Sequence, residues 1–134
     1  MTATLAKSRI LVVEDDEVTQ NLFKRFLERS GFDVAVADNG EDALERVARD
    51  SPNLVLLDLM MPKMDGFGFL QALRGSAAAG LPVIVTSALA DPARQTQAME
   101  LGAKAYLVKT KFTLADLIRA IQQLLSPGSG DGGR

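Results

Sequence analysis

The sequence has no cysteine, no histidine and no tryptophan, and only one tyrosine in 134 residues. Without cysteine there is no disulfide, no thiolate nucleophile and no cysteine-ligated metal. The missing histidine excludes more: imidazole general bases, Ser-His-Asp triads and His-ligated zinc are all impossible. No run approaches the roughly 20 apolar residues of a membrane-spanning helix, and Met1 to Arg9 holds no apolar stretch long enough for a signal peptide. Strong charge of one sign is also absent. A formal charge of −2 creates no field that would draw nucleic acid or an anionic membrane. The chemistry that remains must use carboxylates, hydroxyls, lysine, backbone groups or a bound hard cation. A soluble cytoplasmic protein is the expectation.

What is present is organised around Leu54-Val55-Leu56-Leu57-Asp58. Four apolar residues read as a strand buried on both faces of a sheet. An unpaired carboxylate inside such a run is costly, so Asp58 is expected at the strand's carboxyl end, where α/β sheets place their ligands. Ile10-Leu11-Val12-Val13 is a similar run ending at Glu14-Asp15-Asp16, and Leu81 to Val85 is another, ending at Thr86-Ser87-Ala88. Phe32, Val34 and Val36 alternate with less apolar residues, which suits an edge strand. A short last strand, Ala105 to Val108, is closed by Lys109.

Helical periods lie between these strands. Val18, Leu22 and Phe26, with Phe23 and Leu27 beside them, predict a wide apolar face on the first helix, ended by Gly31 as a left-handed cap. Ala43, Leu44, Val47 and Ala48 mark the second helix, stopped by Ser51-Pro52; Phe69, Leu70 and Leu73 mark the third. Asp91-Pro92 opens a weakly amphipathic fourth helix that Gly102 ends. Thr113 and Asp116 form a capping box for the fifth, whose stripe is Leu114, Leu117, Ile118, Ile121, Leu124 and Leu125. Asp65-Gly66 reads as a turn.

Five strands alternating with five helices predict a three-layer, doubly wound α/β fold with a parallel sheet. The most apolar strands belong in the middle, giving the flavodoxin-like order 2-1-3-4-5 with its switch point between the first and third strands. Residues 1–8 form an N-terminal extension, 9–125 the domain, and 126–134 a glycine-rich tail expected to be disordered. With such a tail, no DNA-binding or enzymatic output is expected to be fused to it.

At the carboxyl ends of the strands stand Glu14-Asp15-Asp16, Asp58, Thr86-Ser87 and Lys109. Close carboxylates repel by about 4 kcal/mol per pair at an effective dielectric of 20. A hard divalent cation compensates such a cluster, and oxygen ligands without histidine or cysteine favour magnesium. Lys109 adds a fixed positive charge and Thr86 a donor. A carboxylate nucleophile with these groups describes a phosphoryl acceptor. Each residue also has a plainer reading. Asp58 alone suits a strand-ending carboxylate bonded to backbone amides, the acids after the first strand suit a helix N-terminus, Thr86 suits a backbone-satisfied hydroxyl, Lys109 suits a surface lysine and Tyr106 suits edge packing.

Taken together these motifs resemble the response-regulator receiver domain of two-component signalling. Val12-Val13-Glu14-Asp15-Asp16, Leu56-Leu57-Asp58-Leu59-Met60-Met61-Pro62, Met64-Asp65-Gly66, Val85-Thr86-Ser87-Ala88 and Tyr106-Leu107-Val108-Lys109 occur in the family's order over about Arg9 to Leu125. The resemblance implies a single-domain regulator whose Asp58 accepts phosphate from the phosphohistidine of a histidine kinase or histidine phosphotransfer protein. It implies Mg2+ held by Asp15, Asp58 and the Met60 carbonyl, with Glu14 acting through water. Thr86 and Lys109 would contact the phosphoryl group, and Thr86 with Tyr106 would switch the face of the fourth helix, fifth strand and fifth helix. A monomer or weak dimer signalling to an unnamed protein target is implied, with self-phosphorylation and slow self-dephosphorylation rather than enzymatic turnover.

The sequence departs from the family at Thr110-Lys111-Phe112, where a proline usually follows the lysine. The competing function is a receiver-like interaction module that is never phosphorylated, which would usually have lost an acid, the Thr or the Lys. A carboxylate-nucleophile phosphatase would want an acid where Met60 stands, and a flavin site would want hydroxyls where Glu14-Asp15-Asp16 stand.

Overall fold

A computed structural model describes residues 7–61, 64–88 and 90–125; the glycine-rich tail and most of the N-terminal extension lie outside them. Strand β1 spans Arg9–Val13, followed by α1 at Glu17–Arg29, β2 at Asp33–Ala37, α2 at Gly40–Asp50 and β3 at Leu54–Asp58. The second half continues with α3 at Gly66–Arg74, β4 at Val83–Ser87, α4 at Pro92–Glu100, β5 at Ala105–Val108 and α5 at Leu114–Leu125. The strands form one parallel sheet in the order β2-β1-β3-β4-β5, as the burial argument requires. β3 and β4 are buried along their whole length, whereas every residue of edge strand β5 is half-buried.

The pleat divides the core in two. Leu11, Val13, Val55, Leu57, Val83 and Val85 face α2, α3 and α4 through Val47, Phe69, Leu73 and Ala98. Ile10, Val12, Leu54, Leu56 and Ile84 face α1 and α5 through Phe23, Leu27, Leu117 and Ile121. Alternation is thus hidden in the sequence because both faces are covered by helices.

The helix ends follow their signals. Asp16, Asn39, Asp65 and Asp91 cap α1 to α4, each accepting a backbone N–H of the first turn. Thr113 and Asp116 exchange N–H bonds of 2.9 and 3.0 Å at α5, and removing such a cap costs about 1 kcal/mol. Gly31 and Gly102 hold φ of 99° and 109° just past α1 and α4, a conformation that glycine adopts without a Cβ penalty.

The face of α1 differs from the expectation. Val18 and Leu22 are 77% and 54% exposed. The row that meets the sheet is Gln20, Phe23 and Leu27, with Phe26 only half-buried against it. Of the expected apolar face, Phe23 and Leu27 turn inward and Val18 and Leu22 do not, because the remaining buried position is taken by an amide, Gln20. No helix among the described residues is long and apolar enough to cross a membrane.

Candidate functional site

Parallel pairing brings every strand's carboxyl end to one edge, and ladder bonds extend one residue beyond the strands. The Glu14 N–H donates to the Ala37 carbonyl at 3.0 Å and the Lys109 N–H to the Ser87 carbonyl at 2.7 Å. Asp58 lies opposite Thr86 in the β3–β4 register. Backbone hydrogen bonding therefore fixes Glu14, Asp58, Thr86 and Lys109 relative to one another before any side chain acts.

Glu14, Asp58 and Thr86 are 2%, 5% and 1% exposed, whereas Asp15 is open to solvent. One carboxylate oxygen from each of Glu14, Asp15 and Asp58 lies within 4.8 Å of the others. Lys109 Nζ sits 2.8 Å from Glu14 Oε1 and 3.7 Å from Asp58 Oδ1. The second Glu14 oxygen, Oε2, accepts the Asp16 N–H at 3.2 Å. Two of the three carboxylates thus share one ammonium, which pairs more closely with Glu14 than with Asp58. The consequence is electrostatic. Burial, and then the neighbouring charge of Glu14, push the Asp58 carboxyl up to about 6, against the pull of Lys109 and the Met60 N–H. Both close contacts of Asp58 go to Oδ1, from Lys109 and from the Met60 N–H at 3.4 Å. Among the described residues Oδ2 has no such partner.

Thr86 is buried, and among the described residues its hydroxyl has no hydrogen-bond partner, an arrangement that ordinarily costs stability. It follows Ile84 on the pleat, on the side facing α1 and α5. Tyr106 pairs with Val85 and packs with the opposite cluster, beside α2, α3 and α4. The structure therefore gathers Glu14, Asp15, Asp58, Thr86 and Lys109 into one pocket and leaves Tyr106 outside it. Met60, 49% exposed, stands at the pocket's mouth, where Arg94 Nη1 approaches its Sδ at 3.4 Å.

Two supporting features escaped the sequence. Gln20 is buried, and its Nε2 donates to the Glu14 carbonyl at 2.8 Å and to Asp38 Oδ1 at 3.0 Å, tying the acidic turn to the end of β2. The signal was a polar residue one helical row from Phe23 and Leu27, which a hydrophobicity count discards. Gly66 is more than the turn the sequence suggested. A Cβ there would meet Leu59 Cα at 2.7 Å and the Asp58 carbonyl oxygen at 3.0 Å, while its N–H donates to the Leu59 carbonyl at 3.0 Å. Only glycine lets α3 press against the backbone that carries Asp58. After Lys109, the Lys111 N–H donates to the Val108 carbonyl at 2.8 Å, and Phe112 packs half-buried with the cluster of Ile10, Val12 and Leu56. The loop without proline is thereby anchored by an aromatic ring.

The family model of the response regulator receiver domain matches residues 10–122. The chain is 40% identical over 121 residues to a probable transcriptional regulator ycf27 of Porphyridium aerugineum, covering 90% of this chain and 49% of that protein. It is 38% identical over 117 residues to the response regulator MprA of Mycobacterium leprae, covering 87% and 50% respectively. The chain thus spans about half the length of the curated relatives it matches. Among solved structures, the chemotaxis protein CheY4 of Vibrio cholerae superposes with a TM-score of 0.83 at 26% identity, covering 90% of this chain and all of that one.

Proposed function

The chain belongs to the response regulator receiver family, and from that premise we propose that it accepts a phosphoryl group on Asp58 from a partner's phosphohistidine and signals through protein contact. Receiver domains are signalling modules of two-component systems rather than enzymes. The observation that carries the reading is the pocket itself: a buried carboxylate with one unengaged oxygen, flanked by Glu14, Asp15, Thr86 and Lys109.

Chemically, Asp58 Oδ2 attacks phosphorus, an acyl–O–P bond forms, and the P–N bond to the donor imidazole breaks with its electron pair on nitrogen. The residues fit a magnesium ion. Three clustered carboxylates with one lysine leave net negative charge, and burial first, then the charge of Glu14, raise the Asp58 pKa; all-oxygen donors suit a hard cation. Asp15, Asp58 and the Met60 carbonyl would hold it, with Glu14 acting through water, and it would supply charge neutralisation at the phosphoryl oxygens. Lys109 would supply a second positive charge, exchanging its Glu14 partner for a phosphoryl oxygen. The Thr86 hydroxyl, without a partner among the described residues, would donate to another. The donor must come from elsewhere, since this chain has no histidine.

Incubation with magnesium and a small acyl phosphate is expected to add one phosphoryl group by intact mass, and Asp58→Asn to abolish the gain. No gain under saturating donor would favour an interaction module that is never phosphorylated.

Decay of the phosphorylated form is expected to be slow. Met60 and Ala88, two residues after Asp58 and Thr86, offer no polar side chain to orient attacking water. Replacing Met60 by Asn and Ala88 by Glu together is expected to raise the hydrolysis rate about tenfold or more. An unchanged decay rate, followed by the loss of the phosphoryl mass, would remove this explanation.

Signalling by the face of α4, β5 and α5 is part of the same proposal. α4 buries only Ala98 fully, and Tyr106 of β5 pairs with Val85 on the strand that carries Thr86 and packs with the cluster that includes Ala98. A change at Thr86 must pass around the backbone of β4 to reach Tyr106, so the coupling would travel through the β4–α4 connection rather than by direct side-chain contact.

A further inference from the structure

Resting on that reading of Asp58, we propose that Arg94 is a phosphoryl-binding residue: its guanidinium leaves Met60 and Asp91 and engages the oxygens of the phosphoryl group on Asp58. Three observations place it there. Nη1 of Arg94 lies 3.4 Å from Met60 Sδ, and the Met60 N–H lies 3.4 Å from Asp58 Oδ1, so the guanidinium is one residue's contact away from the acceptor. Its present partners are poor ones. A thioether is a weak acceptor, and the ion pair of Nε with Asp91 Oδ2, at 3.5 Å, joins two part-exposed side chains, a class worth little in water.

The third observation is where the cation sits. The first turns of α1, α2 and α5 carry acids, Glu17, Glu41 with Asp42, and Asp116, the sign that the positive end of a helix dipole favours. The first turns of α3 and α4 carry no acid, and that of α4 alone carries a cation, Arg94. Helix electrostatics therefore argue against this residue at this position. A planar donor fork held beside a site that gains a dianion accounts for it, because guanidinium and phosphoryl oxygens form charge-assisted, bidentate bonds.

The change also has a mechanical side. α4 is lightly seated, with Ala98 its sole fully buried residue, so drawing Arg94 toward Asp58 shifts the helix's first turn more readily than it shifts the sheet. Lys109 approaches from β5 and Arg94 from α4, and the phosphoryl group would be clasped from two elements.

The test uses the full chain with magnesium and beryllofluoride, a non-hydrolysable phosphoryl mimic, and reads bound beryllofluoride by fluorine NMR. Arg94→Gln, which removes the charge and the guanidinium's reach while keeping a polar side chain, is expected to bind beryllofluoride about tenfold more weakly than the parent. Arg94→Lys is expected to recover part of the loss. Magnesium affinity measured alone by calorimetry separates this from a general disturbance of the pocket, because the beryllofluoride loss should exceed any change there. Equal beryllofluoride affinity in Arg94→Gln and the parent overturns the role of Arg94 while leaving Asp58 as acceptor. If the parent binds no beryllofluoride, or Asp58→Asn binds it as well as the parent does, the reading of Asp58 fails and Arg94 falls with it.

Discussion

At pH 7.5 and without magnesium, Asp58→Asn is expected to be more stable than the parent protein, by about 2–3 kcal/mol. The folded-state carboxyl is raised to about 6 from 3.8, so the folded protein holds the Asp58 proton more tightly than the unfolded chain does. A raised carboxyl contributes stability fully present below about pH 4 and lost as pH rises through about 6. At pH 7.5 the charge is present, buried, and faced by Glu14 more effectively than it is relieved by Lys109, whose closer partner is Glu14. An amide of the same shape removes that repulsion. Chemical denaturation at pH 7.5 and pH 4 checks the claim. The advantage of Asp58→Asn should be large at the higher pH and shrink toward the lower. Asp16 and Asp116 are lowered from 3.8 by hydrogen bonds from Thr19 and Thr113, so their contributions disappear below that window and do not mask it. Saturating magnesium should reverse the ranking, since binding to the folded parent stabilises it by mass action. A variant less stable than the parent at pH 7.5 would show that the acids are better compensated than the geometry indicates.

The second large effect is expected at Gly66. Gly66→Ala adds one methyl group and, by helix propensity alone, ought to stabilise α3 by up to about 1 kcal/mol. Packing opposes this. The new Cβ would stand 2.7 Å from Leu59 Cα and 3.0 Å from the Asp58 carbonyl oxygen, and backbone atoms do not step aside as a flexible side chain does. Overpacking of this kind costs about 1–3 kcal/mol, and at the first position of a capped helix the propensity gain is at its smallest. The clash should win. α3 and the segment from Asp58 to Met60 must separate, which moves the acceptor and the Met60 carbonyl relative to Asp15 and Lys109. Because displacements near 1 Å cost about a hundredfold in rate at positioned sites, phosphorylation by acyl phosphate should fall at least tenfold. Gly80→Ala, where an added Cβ meets nothing within 4 Å, serves as the control and should leave the rate as it was. A Gly66→Ala protein with parental rate and stability would mean that α3 recedes without disturbing β3.

These two predictions mark the boundary between what the sequence disclosed and what it withheld. The apolar runs at Ile10, Leu54 and Val83 disclosed buried strands because a sheet covered on both faces leaves no polar alternation to confuse the pattern. From their order the switch point followed, and with it the convergence of Asp15, Asp58, Thr86 and Lys109. Caps at Asp91 and Thr113 were legible because they depend on residues three positions apart or fewer. Other features depend on distant partners. Glu14 and Lys109 are 95 residues apart, and their direct pairing at 2.8 Å could not be read from either neighbourhood. Gln20 is buried with Asp38 and the Glu14 carbonyl meeting its amide, so the first helix turns Gln20 inward with Phe23 and Leu27 and leaves Val18 and Leu22 exposed. Gly66 looked like a turn because its packing partner, the Leu59 backbone, has no signature in sequence. The placement of Tyr106 on the far side of β4 from Thr86 is a matter of register, which a residue count cannot supply.

The central claim is that one side chain, Asp58, carries the phosphoryl group. Its most direct test is to treat the protein with magnesium and an acyl phosphate, reduce it with borohydride, digest it and sequence the peptides by mass spectrometry. Reduction converts an aspartyl phosphate to homoserine. The account predicts homoserine at position 58 alone, and none when magnesium or the acyl phosphate is omitted. Homoserine at Asp15 or another acid, or none anywhere under saturating donor, would contradict it.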